Sequence, residues 1–313
     1  MFHRAHNIKI ASIRMNFRNY FLVFGLICFI GLSCGEGGST ESDSSGSKET
    51  ASKDGGDGSS LMEIDGKLFS IPSPIQTALL IKDVGSNYNM DLLNRPQNID
   101  LYSTSFSKGI NLGIYGADLG YVTIYEQTQD AIGYLTIIKR LAHDLGISGA
   151  FDISLLERFE ANLGIRDSLL SLVSDAFRAS DSYLKNNQRN DIGALVLAGG
   201  WVESLYFSCI IAESTHNDDV ISRIGNQKST SNNIIQLLMP YYSKSDYTSF
   251  IDQLIELNEV FKSVEVTYEY KEPEVDAANK LTVINSVTDV RITDEQLKDI
   301  NQKIRIIRDQ LIN

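Results

Sequence analysis

IGALVLAGGWVESLYFSCIIA, residues 192–212, is the most apolar segment of the chain beyond its first 33 residues, and its reading decides the fold. Its length suits a bilayer span, but Glu203 lies at its middle and would cost ~2.5–3.5 kcal/mol or more in lipid. The segment is therefore expected to be the buried central helix of a helical domain. Gly193, Gly199 and Gly200, which otherwise weaken a helix, suit close approach of neighbouring helices.

Helical signals surround it. Ile71-Pro-Ser-Pro74 reads as a helix entry, with Ser73 as cap and Pro74 at the first helical position, and Gly85 can close that helix in a left-handed conformation. Further helices are predicted at about 104–125, 129–145, 153–163, 167–186, 191–213, 230–239 and 246–263. In the second of these, Ile132, Leu135, Ile138, Leu141, Ala142 and Leu145 recur at helical spacing, and Gly146 follows as a stop signal. Near the C-terminus the period changes: VEVTYEY (264–270) and KLTVINSV (280–287) are rich in β-branched and aromatic residues and read as a paired hairpin or ribbon. Thr293 and Gln296 then open a last amphipathic helix with a capping-box pattern. The expected fold is mainly α: a helical bundle over residues 61–313 with a small β-hairpin near the C-terminus.

The amino-terminal residues bear on where the protein is held. Bases up to Arg18 precede the apolar run Tyr20–Leu32, which has the length of a signal-peptide core and is short for a bilayer span. Ser33 and Cys34 follow. The pattern resembles the lipobox of bacterial lipoproteins, although Gly31 stands where Leu is usual and Leu32 comes one place late. The resemblance implies a signal peptide over 1–33, cleavage before Cys34, and acylation of Cys34, several chains together being needed for firm membrane residence. Met15 opens a stretch, MNFRNYFLVFGLICFIGLSC, that has the form of a signal peptide by itself. Residues 35–60 are glycine, serine and acid with almost no apolar side chain, so residues 34–60 are expected to form a lipidated cysteine and flexible tether. The localisation this implies is the cell envelope, as an outer-membrane lipoprotein facing the periplasm or the surface.

Charge and cysteine content narrow the function classes. The four bases of residues 1–33 meet no acid there, so residues 34–313 carry 24 bases against 40 acids, a net charge of −16. Such a surface repels phosphate backbones, and nucleic-acid binding is disfavoured. Cys28, Cys34 and Cys209 are too few for a disulfide framework.

KGINLGIYGADLGYVTIYEQTQ (108–129) and GGWVESLY (199–206) resemble a family of helical lipoproteins of Bacteroidota-type bacteria. The resemblance spans about 70–215; it implies a helical architecture and brings no assigned activity and no catalytic residues. The two motifs also resemble each other at an offset of 85, with Asp118 on Glu203, Tyr121 on Tyr206, Leu112 on Leu197 and Gly113 on Ala198. That reads either as duplicated helical hairpins about a pseudo-twofold axis or as chance agreement among apolar helices.

The candidate site residues are a pair of acids. Ile114, Tyr115, Tyr121 and Val122 flank Asp118 at helical spacing, and Gly199, Gly200, Tyr206 and Phe207 flank Glu203, so both acids are expected to face the core. Buried carboxylates serve as general acids or metal ligands when burial and neighbours shift their pKa. More often they accept hydrogen bonds from a Tyr hydroxyl or a basic side chain, and that structural role is the expectation here. Glu213-Ser-Thr-His216 has the Glu-x-x-His spacing of di-iron bundles, but the second such motif is missing; His216 with Asp218 and Asp219 reads as a solvated helix end and cap. No nucleophile elbow, phosphate loop, dinucleotide fingerprint or zinc spacing is present. No catalytic residue, metal or cofactor is assigned. The expected function is that of a membrane-anchored lipoprotein with a helical domain for binding or envelope assembly, its partners the membrane, through Cys34, and an envelope protein or small ligand. The alternative is a hydrolase or metal-dependent enzyme whose site is assembled from distant residues such as Asp118 and Glu203.

Overall fold

A computed structural model describes residues 59–64, 67–72, 74–150, 157–159, 161–162, 165–276, 281–283 and 286–313. Its order is β1 (Ser59–Ile64), β2 (Lys67–Pro72), α1 (Pro74–Asp83), α2 (Ser105–Ile124), α3 (Thr128–Asp144), α4 (Arg166–Asn186), α5 (Asn190–Thr215), α6 (Asp218–Gly225), α7 (Gln227–Leu238), α8 (Ser245–Ser263), β3 (Glu265–Glu269), β4 (Glu274–Asp276), β5 (Leu281–Val283), β6 (Val287–Arg291) and α9 (Asp294–Ile312). The mainly helical fold expected from the sequence is the one observed.

Helix ends are set by local chemistry. The Thr104 hydroxyl accepts from Ser107 N (3.0 Å), and Ser107 Oγ accepts from Thr104 N (3.1 Å), closing a capping box on α2. Thr293 and Gln296 make the anticipated one on α9, at 3.2 and 2.8 Å. Gly85 and Gly146 take φ of 79° and 68° just beyond α1 and α3, where a side chain would be strained. On α3 the inner face differs slightly from expectation: Ile132 is exposed, while Ala131, Tyr134 and Ile137 join Leu135, Ile138 and Leu141 in the core.

At the centre α2 and α5 lie side by side and parallel, since Gly109 meets Ile192 and Leu195, Gly113 meets Val196 and Gly200, and Tyr121 meets Phe207. The sequence offset of 85 is thus close to the register in which these two helices pack. Glycine makes this possible: a Cβ on Gly113 would enter the shell of Val196 O and stand 2.8 Å from Gly200 N, and one on Gly199 would strike Ile110 O. Of the glycines expected to serve close approach, Gly199 is the one where a Cβ would clash with a neighbouring backbone; a Cβ on Gly200 would meet Pro74 Cγ at 3.4 Å, an ordinary contact. The central helix is buried over 78% of its most apolar window, as a core helix should be.

The β elements required corrections. Pairing of 264–270 with 280–287 was expected, but β3 pairs with β6 (Glu265↔Arg291 to Glu269↔Val287) and β4 with β5 (Glu274↔Val283 to Asp276↔Leu281). Between the two ladders lie four residues on the outgoing side (270–273) and three on the return (284–286), so the outgoing side carries one residue more, near Lys271, whose backbone N–H and C=O both bond Ser286 Oγ. A second antiparallel hairpin, β1 with β2, begins at Ser59 inside the expected tether and occupies residues expected to be a helix entry. Its register pairs Ile64 with Lys67, leaving Asp65-Gly66 between the strands, the composition two-residue hairpin loops favour. Pro74 is the first residue of α1 as expected; Ser73 lies outside the described residues, as does most of the helix predicted at 153–163. The helix predicted at 230–239 is longer, and α6 precedes it, capped by Asn217 Oδ1, which accepts from Asp219 N (2.9 Å) and Val220 N (3.2 Å).

Candidate functional site: a buried acid pair held by the last helix

Asp118 comes from the middle of α2 and Glu203 from the middle of α5, and the parallel packing of these helices brings them together. Both are fully buried, at 0% exposure. Their carboxyl groups lie within hydrogen-bonding reach of each other. A third residue joins them from 105 positions further on: Arg308 of α9 donates from Nε to Glu203 Oε2 (2.7 Å) and from Nη2 to Glu203 Oε1 (2.7 Å), a forked, two-point ion pair. The same Nη2 donates to Leu92 O (2.8 Å), and the guanidinium lies 4.2 Å from the centroid of the Tyr206 ring.

Asp118 is served less well. Its Oδ2 accepts from Asn94 N at 3.3 Å, while Oδ1 meets no donor among the described residues. Burial, then the neighbouring Glu203 charge, push the Asp118 carboxyl well above the usual carboxylate range, against an opposing pull from Arg308. For Arg308 burial alone would weaken the charge, but Glu203 beside it outweighs that and raises its pKa.

A shell of amides and phenols surrounds the triad. Asn94 Nδ2 donates to Tyr102 Oη (2.9 Å) and Asn111 Oδ1 (3.1 Å), and Tyr134 Oη donates to Asn94 O (3.1 Å). The Asn111 amide donates in turn to Leu311 O (2.8 Å), and Tyr102 Oη to Ile312 O (3.3 Å). These two bonds satisfy carbonyls at the end of α9 that no intrahelical N–H can reach. The network therefore performs one task visibly: it fastens α9 to α2, α5 and the loop between α1 and α2.

The acids expected to face the core do so, and they meet. Arg308 and the two asparagines were not anticipated, although signals exist: Arg308 falls on the same stripe of α9 as Ile300, Ile304 and Ile307, and Asn111 stands two helical turns before Asp118. A lone cation on an apolar stripe demands a buried anion. The Glu213–His216 pair does not form a site. Glu213 accepts from Arg305 (2.6 Å) and Asn301 (3.2 Å), while His216 is exposed at the left-handed end of α5 with φ of 50°. Cys34 lies outside the described residues. Compared with protein families, with curated proteins and with solved structures, the chain matches none.

Proposed function

We propose that this protein is a lipoprotein of the bacterial cell envelope, anchored through acyl groups on Cys34. Its helical domain serves binding or envelope assembly and not catalysis. The observation that carries this reading is the abrupt change of character at Cys34: an apolar run with basic residues before it ends in Ser33-Cys34, and 24 residues of glycine, serine and charge then lead to the first strand at Ser59. Such a run suits insertion into a translocation path and such a tether suits a domain that works at some distance from a membrane. The resemblance to helical lipoproteins of Bacteroidota-type bacteria agrees with it. The buried triad supports the non-catalytic part. An acid that performs chemistry must touch its substrate, whereas Asp118 and Glu203 are closed off and Glu203 already spends both oxygens on Arg308. A cation placed there also opposes a metal ion at the same spot.

The test is fractionation with mass spectrometry of the amino-terminal peptide. The protein is expected in the membrane fraction with a diacylated or triacylated Cys34 as its first residue. Cys34→Ala is expected to leave the precursor uncut or to release the protein from the membrane. An unmodified Cys34 in the processed protein overturns the proposal.

A further inference from the structure

The buried triad holds two carboxyl groups and one guanidinium, and this imbalance leads to a ligand smaller than any side chain. We infer that Asp118 and Glu203 share one tightly held proton, carried on Asp118 Oδ1 and donated to the Glu203 carboxylate, and that this proton is a structural ligand required for Arg308 to dock α9.

The geometry requires it. Both Glu203 oxygens accept from Arg308, the cluster's one cation among the described residues. The second acid, ionised, would be an uncompensated anion with no exposure to water, a state too costly to populate. The bonding deficit falls at one atom: Asp118 Oδ1 is buried and meets no donor, yet its carboxyl is within reach of Glu203. A proton on Oδ1 turns two repelling acceptors into a donor and an acceptor. The upward shift of the Asp118 carboxyl, from burial first and Glu203 second, points the same way.

The other groups facing Asp118 do not compete for this role. Besides Glu203 on α5 they are Arg308 on α9, Tyr134 on α3, Tyr88 and Tyr102 in the loop before α2, and Tyr115 on α2 itself, while Tyr206 on α5 faces the Glu203–Arg308 pair. The five tyrosines are shifted upward, burial being the first cause in each, and stay neutral where carboxyl groups titrate. Arg308 keeps its charge.

The sign of the pH effect follows. A folded state that keeps a proton which the unfolded chain loses near pH ~4 becomes less stable as pH rises above that value, by roughly tenfold in the folding constant per pH unit, until the folded pKa is passed. Asp118→Asn places a permanent amide donor where the proton sits and removes that dependence. Urea unfolding of the full-length protein in detergent should therefore show, between pH 5 and 7, a folding constant that falls about tenfold more per pH unit in the wild type than in Asp118→Asn. Infrared difference spectra of the two at pH 7 should show the carbonyl stretch of an un-ionised carboxylic acid in the wild type and not in the variant. Parallel pH slopes, or no such band in the wild type, overturns the inference. Neither readout is moved by a proton-free salt bridge.

Discussion

Gly113→Ala adds one methyl group where the backbones of α2 and α5 touch, and its cost can be worked from the crossing of the two helices. The new Cβ would enter the shell of Val196 O and lie 2.8 Å from both Gly200 N and Val196 C, where ordinary contact begins at 3.4 Å. All three atoms are backbone inside a helix, so no side chain can swing aside; Val196 O, the nearest, sets the demand, and the helices must part by on the order of 1 Å. A gap of that size forfeits a quarter to a half of the dispersion energy of each atom pair it opens. Ile110, Ile114, Leu195, Ala198 and Val202, all buried, stand along this seam. Against the gain of ~1 kcal/mol from replacing glycine inside a helix, overpacking of this kind leaves a net loss of about 2–3 kcal/mol. Gly133→Ala on α3 is the matched control, because nothing stands within 4 Å of its Cβ; the same substitution should there stabilise by about 0.5–1 kcal/mol. Trp201 is the single tryptophan, buried on α5 with Nε1 donating to Gln227 Oε1 at 3.1 Å, so its fluorescence reports unfolding of the central layer directly. Thermal unfolding should move down by about 5–10 °C for Gly113→Ala and up for Gly133→Ala. A Gly113→Ala protein as stable as wild type would refute the backbone-to-backbone packing of α2 on α5.

Other substitutions probe the clamp and the helix ends. Arg308→Ala strands the Glu203 charge in the core and should cost about 3–5 kcal/mol in urea unfolding, with Arg308→Lys intermediate because a lysine keeps the charge without the fork. Glu203→Ala, which strands Arg308, should lower the melting temperature more than Asp118→Ala, which leaves the Asn94 N–H unsatisfied at ~1–3 kcal/mol. Because the two acids touch, the double variant should lose less than the sum of the singles, and strict additivity in a double-mutant cycle would contradict their contact. Thr293→Ala removes the acceptor for Gln296 N and should cost about 1 kcal/mol, read from the urea midpoint.

The helices were legible because their apolar stripes and stop signals are local: Gly85, Gly146 and the Thr293–Gln296 box act within one turn of the chain. Glu203 in the middle of an otherwise apolar run announced that it faces protein and not lipid. What stayed hidden depends on pairing across distance. Which strand of 280–291 meets 265–269 is decided by an extra residue near Lys271, and a one-residue shift leaves no mark on composition. The β1–β2 hairpin was masked differently: SSLMEI and KLFSIP lack a clean apolar alternation, with Leu61-Met62 and Leu68-Phe69 side by side, and the second runs straight into the Pro-Ser-Pro entry to α1. Asp118 and Glu203 showed themselves as acids on apolar faces; Arg308 showed itself equally on α9, but only the packing of α9 against α5 joins the two observations.

The fastening of α9 sets an order of events for a chain that is synthesised amino end first. Arg308 bonds Leu92 and Glu203 across 216 and 105 positions, and Asn111 and Tyr102 bond Leu311 and Ile312 across 200 and 210. Until the 19 residues of α9 are in place, α2 and α5 can meet but Glu203 has no Arg308 beside it. The middle of the central layer then lacks the ion pair that closes it. Loop-closure entropy makes such late, distant contacts slow to form, and the waiting interval is when exposed apolar helix is at risk of meeting other chains. The final turns of α9 thus act as a latch: the ion pair and carbonyl bonds that close the central layer form only once α9 has joined it.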